Sequence, residues 1–151
     1  MKTLISELFF NANLCAKPNE ILQDLNFEFS HHSSEMIGNP HHSYTVNLLK
    51  HPIIKTLKKG ELRVNFDEVN NTYSFLELVL VIEFNTIQDL SNEYTTLSEN
   101  LKSKPIKFSE ETTQSANLIT FLVNKENNTA VSLFAQKTNT PLLTITYSRN
   151  H

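Results

Sequence analysis

Glycine is nearly missing from this sequence: Gly38 and Gly60 are the only two in 151 residues. Glycine-rich phosphate loops need several closely spaced residues without a Cβ, so that class of nucleotide site is excluded. Cysteine occurs once, as Cys15, which forms no internal disulfide, fits a reducing compartment and supplies no covalent staple. Long apolar runs are missing too. The longest, residues 78–82, falls far short of the roughly 20 residues of a membrane helix. Residues 1–5 begin as a secretory signal does, but Ser6 and Glu7 break the apolar region, and no export signal is expected. The expectation is a cytoplasmic protein with no membrane attachment. Nor is there an excess of positive charge, since 13 Lys and Arg stand against 16 Asp and Glu, a net of -3. With no broad basic field to attract a phosphate backbone, nucleic acid is not an expected partner.

What is present is the patterning of a single domain over residues 1–151, long enough to bury roughly 68–70% of its unfolded surface. Residues 4–14 fit a helix or a strand equally. Pro18 suits a first helical position, and Ile21, Leu22 and Leu25 follow at helical spacing, which predicts a short helix over 18–26. Residues 30–43 show no period and are rich in turn formers, predicting the longest loop. A short strand over 44–49 follows. His51-Pro52 then opens a predicted helical turn with Ile53, Ile54 and Leu57 on one face and Gly60 as its stop. From Glu61 the period becomes two: Leu62, Val64 and Phe66 alternate with polar residues, as in a strand with one wet face. Asn70-Asn71 supplies a hairpin turn, and residues 73–84 return as a central strand with Leu76, Leu78, Leu80, Ile82 and Phe84 on its core face. Thr86 is placed to cap a helix over 86–102 whose stripe is Ile87, Leu90, Tyr94, Leu97 and Leu101, with Pro105 beyond its end. Three strands, 117–124, 130–137 and 141–148, complete the chain. The Asn-x-Thr sequons at Asn70 and Asn127 fall in the two predicted turns. The fold class is α+β, an antiparallel sheet of about five to seven strands with helices packed on it, and the order of elements also fits a doubled helix-then-β-meander unit.

Residues 13–25, Asn-Leu-Cys-Ala-Lys-Pro-Asn-Glu-Ile-Leu-Gln-Asp-Leu, resemble the brief helix-opening segment of the BamE and β-lactamase-inhibitor-protein-like group of small helix-then-meander domains. The resemblance covers about a dozen residues by motif and most of the chain by order of elements. It implies a binding module without chemistry, and it transfers no functional residue.

Among candidate sites, His31, His32, His41 and His42 around Glu35 are ligand types that zinc or nickel takes. Adjacent histidines in extended chain point to opposite sides, so at most one of each pair reaches a shared ion. The spacing matches no known metal motif, and a solvated polar loop is the plainer expectation. No cofactor is expected. Cys15 has no nucleophile signature around it. The acid pairs Asp67-Glu68 and Glu110-Glu111 fit solvated turns better than an acid–base couple, and Lys55, Lys58 and Lys59 fit a helix C-terminus. The second face of strand 73–84 carries Tyr73, Phe75, Val79 and Val81. Helices covering both faces of the sheet are the favoured explanation; otherwise that face is an interface for another protein or a second copy. The functional expectation is a non-catalytic protein-binding module of inhibitor, immunity or adaptor type. The alternative is a small-ligand-binding or hydrolytic domain with a cavity between the sheet and helix 86–102, its polar handles being Tyr94, Tyr147 and Thr144 or Thr146.

Overall fold

In the computed structural model, which describes residues 3–36, 39–69 and 72–150, the chain forms three helices and eight strands. In chain order these are α1 (Leu4–Leu8), α2 (Pro18–Leu25), β1 (Ser30–Met36), β2 (Asn39–Leu48), β3 (Leu57–Val69), β4 (Thr72–Phe84), α3 (Ile87–Lys102), β5 (Lys107–Thr112), β6 (Ala116–Asn124), β7 (Thr129–Gln136) and β8 (Leu142–Asn150). All strands join one antiparallel sheet in the order β1, β2, β3, β4, β8, β7, β6, β5. Each run of four strands is preceded by helix. The last strands of the two runs, β4 and β8, pair at the centre, while the first strands, β1 and β5, form the edges.

The sheet exceeds the expected five to seven strands because two edge strands carry no hydrophobic period. Residues 30–43, expected as a loop, belong to the β1–β2 hairpin, with Ser30 opposite Thr45 and Ser34 opposite His41. Histidines and serines alternate on both sides of β1, so the backbone ladder to β2 holds it and side-chain polarity carries no signal. Strand β5, unexpected from sequence, is exposed at every position, and its Glu and Lys residues blunt an open edge. The Asn70-Asn71 turn lies outside the described residues, although β3 and β4 pair up to Val69 opposite Thr72.

The 51–60 segment is not helical. The His51 ring accepts hydrogen bonds from the Ile53 and Ile54 amides at 3.2 and 3.1 Å as a helix N-cap would, but the chain makes only a turn and enters β3 at Leu57. Gly60 is therefore no helix stop. It lies within β3 opposite Ile82, where an added Cβ would stand 3.0 Å from Ile82 Cδ1 and 3.2 Å from the Val81 carbonyl.

Burial alternates strictly along β7 and β8, and along β4 from Phe75 to Phe84. One face of the sheet is core: Leu62, Val64, Leu76, Leu78, Leu80, Ile82, Leu133, Leu143 and Ile145 are each fully buried. At roughly 1.5–3 kcal/mol per buried aliphatic side chain, this face dominates the favourable side of folding. Helix α3 lies over β4, β7 and β8 and α2 over β3. The Thr86 hydroxyl accepts from the Asp89 amide at 3.1 Å and caps α3, and its buried stripe is Leu90, Tyr94, Leu97 and Leu101. The expectation that helices cover both faces is corrected. Phe75, Val79, Val81 and Phe134 on the other face are only half-buried, and they alternate with Thr, Ser, Glu and Arg as on a wetted sheet surface. No helix among the described residues is long and apolar enough to cross a membrane.

Candidate functional site

Two positions where the chain reverses hold the most distinctive geometry. After β2, residues 49–56 fold back against the segment that follows α1, and between them opens a groove of about 880 Å³. Its apolar wall comes from Phe10, Phe27, Leu48, Leu49, Pro52 and Leu57. Lys50 and Lys55 are its cations among the described residues, none of which brings a carboxylate to it. Leu49 is 87% exposed, an apolar side chain held in water beside an apolar depression.

The groove is shaped by three local features. Phe10 and Asn11 both have positive φ, 59° and 60°. A left-handed conformation costs roughly 1–2 kcal/mol for a residue with a Cβ, and a bulky ring there is unusual. Edge-to-face packing opposes that strain: the Phe10 ring lies 5.0 Å from Phe27 and 5.1 Å from His51. A run of aromatic contacts continues from Phe27 to Phe29 and Tyr44, so the groove wall is continuous with the sheet.

His51 fixes the floor. Its Nδ1 accepts two backbone hydrogen bonds, so the proton sits on Nε2, which donates to the Leu8 carbonyl at 2.8 Å. Burial lowers its pKa below the usual 6.5; the Leu8 hydrogen bond opposes that shift and the nearby Lys55 charge adds to it. A neutral, fully bonded imidazole is a structural pin with no free lone pair for acid–base work.

The histidines expected to gather around Glu35 separate by strand alternation. His31 and His42 share the side of the β1–β2 hairpin that Tyr44 and Phe66 also occupy, with His31 Nε2 and His42 Nδ1 3.0 Å apart, and His31 stacks on Tyr44 at 4.1 Å. The other nitrogen of His42 faces Glu68 at 3.7 Å. His41 is on the opposite side, 2.6 Å from Asp67, and His32 is exposed. Glu35 pairs with Pro40 through the backbone, and its side chain lies outside the described atoms. Among the described residues, no group of three or more His, Cys, Asp or Glu is arranged to hold a metal.

Alternation divides the acid pairs in the same way. Asp67 bonds His41 and Glu68 faces His42, while Glu110 bonds Lys102 at 2.8 Å and Glu111 is exposed. Neither pair converges on a reaction centre. Lys58 and Lys59 pair with Glu83. Cys15 is exposed, and the described residues of the cavity wall that includes it contain no histidine.

Tyr73 does not share a face with Phe75. The register slips between Phe66 and Glu68 on β3, opposite Leu76 and Tyr73 on β4. This bulge turns Tyr73 onto the covered face, where it is 9% exposed and accepts a hydrogen bond from Arg149 at 2.9 Å. Phe75, Val79 and Val81 remain on the uncovered face. Of the handles assigned to a sheet–helix cavity, Tyr94 on α3 and Tyr147 on β8 are buried on the covered side of the sheet, whereas Thr144 and Thr146 lie on the uncovered side. Burial, with the Glu110 charge adding to it, pushes the Tyr94 phenol up to about 12. A phenol held there is protonated at neutral pH and is no nucleophile.

The chain matches no protein-family model, no curated protein and no solved structure.

Proposed function

We propose that this protein is a non-catalytic binding module whose apolar groove takes a segment of a partner protein bearing apolar anchors flanked by carboxylates. The observation that carries this reading is the groove wall itself: among the described residues it has six apolar side chains, two lysines and no acid, with Leu49 exposed at its edge. Exposed large apolar side chains beside a preformed concavity are what recognition of apolar anchors requires. The lysines select for acidic flanks through complementary charge. Backbone strain at Phe10 supports the same reading, since sparsely populated conformations persist where surrounding structure over-determines them and cluster at ligand clamps. The resemblance of residues 13–25 to a group of binding domains points the same way. The separated acid pairs, the fully bonded His51 and the isolated Cys15 argue against hydrolysis at this site.

The test is selection of a displayed random-peptide library on the intact protein, with counter-selection on Leu49→Asp. Leu49 is so exposed that the substitution leaves the fold unchanged. Enriched peptides should combine apolar anchors with Asp or Glu and lose at least ten-fold in affinity for Leu49→Asp, and Lys55→Glu should weaken the acidic ones further. Enrichment of basic peptides, or binders indifferent to both substitutions, would remove the groove as the docking site.

A further inference from the structure

A second cavity lies on the covered side of the sheet, and it has a different chemistry. It encloses about 490 Å³ between α1, the loop that follows it, the end of α3 and the far ends of β6 and β8. This volume falls within the roughly 300–1,000 Å³ typical of small-molecule pockets. Leu4, Ile5, Leu101 and Ile106 supply apolar wall; Lys104 and Arg149 supply charge, and among the described residues no carboxylate side chain lines it.

Arg149 is the unusual member. It sits at an inward position of β8, in alternation with Leu143, Ile145 and Tyr147, and is only 6% exposed. Its Nε donates to the Leu14 carbonyl at 3.0 Å, one terminal nitrogen donates to the Tyr73 hydroxyl at 2.9 Å, and the other donates to the Ala16 carbonyl. These partners are all neutral. They clamp the 14–16 loop to the sheet, and they leave the guanidinium charge without an ion-pair partner among the described residues. A buried cation normally has a counter-charge, because desolvation costs several kcal/mol per ion. Tyr147 stands beside it, its hydroxyl donating to Leu14 at 3.4 Å. Burial raises the Tyr147 pKa, with the Arg149 charge opposing that shift, so the phenol stays neutral and supplies no anion.

We infer that this cavity binds a small monocarboxylate with an unbranched apolar chain, the carboxylate meeting Arg149 and the chain lying along the Leu4, Ile5, Leu101 and Ile106 wall. Guanidinium is the side chain best matched to a carboxylate, through two parallel N–H donors. The apolar wall supplies the area that a short anion such as acetate would leave unfilled. This site is separate from the groove of the proposed function, and neither depends on the other.

Titration of the full chain at neutral pH with decanoate and, separately, with decanol tests the inference by calorimetry. The two probes share a chain length and differ in head group. Decanoate should bind in a 1:1 ratio and about 10- to 100-fold more tightly than decanol, the factor that a hydrogen-bonded charge pair supplies. Val123→Trp, at a partly exposed position on the cavity wall, should abolish decanoate binding by filling the space while leaving peptide capture at the groove intact. Equal affinity for decanol and decanoate, failure of decanoate to saturate below millimolar concentration, or unchanged decanoate binding by a folded Val123→Trp would each overturn the inference. The comparison of probes uses wild-type protein and stands even if the tryptophan variant fails to fold.

Discussion

Replacing His51 with phenylalanine keeps a planar aromatic ring, slightly larger than imidazole, and deletes three hydrogen bonds, which makes it a probe of the turn that shapes the groove. The wild-type ring accepts from Ile53 and Ile54 and donates to Leu8. Each neutral hydrogen bond contributes about 1 kcal/mol net, and a buried amide left without a partner costs about 1–3 kcal/mol. Ile54 is fully buried, so its amide sits at the upper end of that range. The expected loss is about 3–5 kcal/mol, a large share of the roughly 5–15 kcal/mol typical of a domain. At roughly 2–4 °C per kcal/mol for a chain of this size, Tm should fall by about 6–20 °C. The pH dependence gives an independent reading. The folded-state pKa of His51 is lowered relative to its unfolded value near 6.5, so between those two values the unfolded chain binds more protons. The neutral ring's contribution is therefore complete above pH 6.5 and is lost as pH falls toward the folded pKa. Urea melts of both proteins at intervals from pH 7.5 to 5 should show the difference between wild type and His51→Phe shrinking on acidification. A constant difference across that range, or a loss under 1 kcal/mol at pH 7.5, would refute the assigned tautomer and its three bonds.

Other consequences can be measured in the same way. Gly60→Ala should destabilise by about 1 kcal/mol, since its Cβ meets the packed Ile82 side chain and the fixed Val81 carbonyl at 3.0 and 3.2 Å; an unchanged urea midpoint would show that β3 and β4 relax there. Asn26 closes α2 with a φ of 54°, so Asn26→Gly should stabilise by about 0.5 kcal/mol by removing the Cβ penalty, and a lower Tm would contradict the cap. Thr86→Ala should cost about 1 kcal/mol through loss of the 3.1 Å bond to the Asp89 amide, read as a lower urea midpoint with unchanged slope.

Strands with one apolar face were legible because the period of two is visible wherever one side meets the core. Thus β3, β4, β7 and β8 follow from Leu62, Leu76, Val131 and Leu143 and their alternating neighbours. The long helix was legible for the same reason at period 3.6, with Thr86 marking its start. Strands β1 and β5 were invisible, because edge strands wet on both sides are specified by backbone pairing. The 51–60 turn reads as helix because Ile53, Ile54 and Leu57 repeat at helical spacing and His51 bonds the Ile53 and Ile54 amides as an N-cap does, while pairing of the chain from Leu57 with β4 ends the turn after a few residues. Tyr73 was assigned to the wrong face because a single bulge inverts alternation, and no residue type at 72–76 marks it. The groove draws its wall from residues near 10, 27, 48 and 57, and no local window contains that convergence. One signal for the second cavity was present: Arg149 continues the inward series Leu143, Ile145, Tyr147, and a cation on the apolar side of a strand demands a partner.

The central claim is that recognition occurs at the groove between the 49–56 turn and Phe10, rather than on the uncovered face of the sheet. Backbone amide shift mapping of the 15N-labelled chain with a library-selected acidic–apolar peptide tests it most directly. The account predicts shifts at residues 10, 27 and 47–57 with β7 and β8 unmoved. Shifts concentrated at Phe75, Val79, Val81 and Phe134 with a silent groove would contradict it.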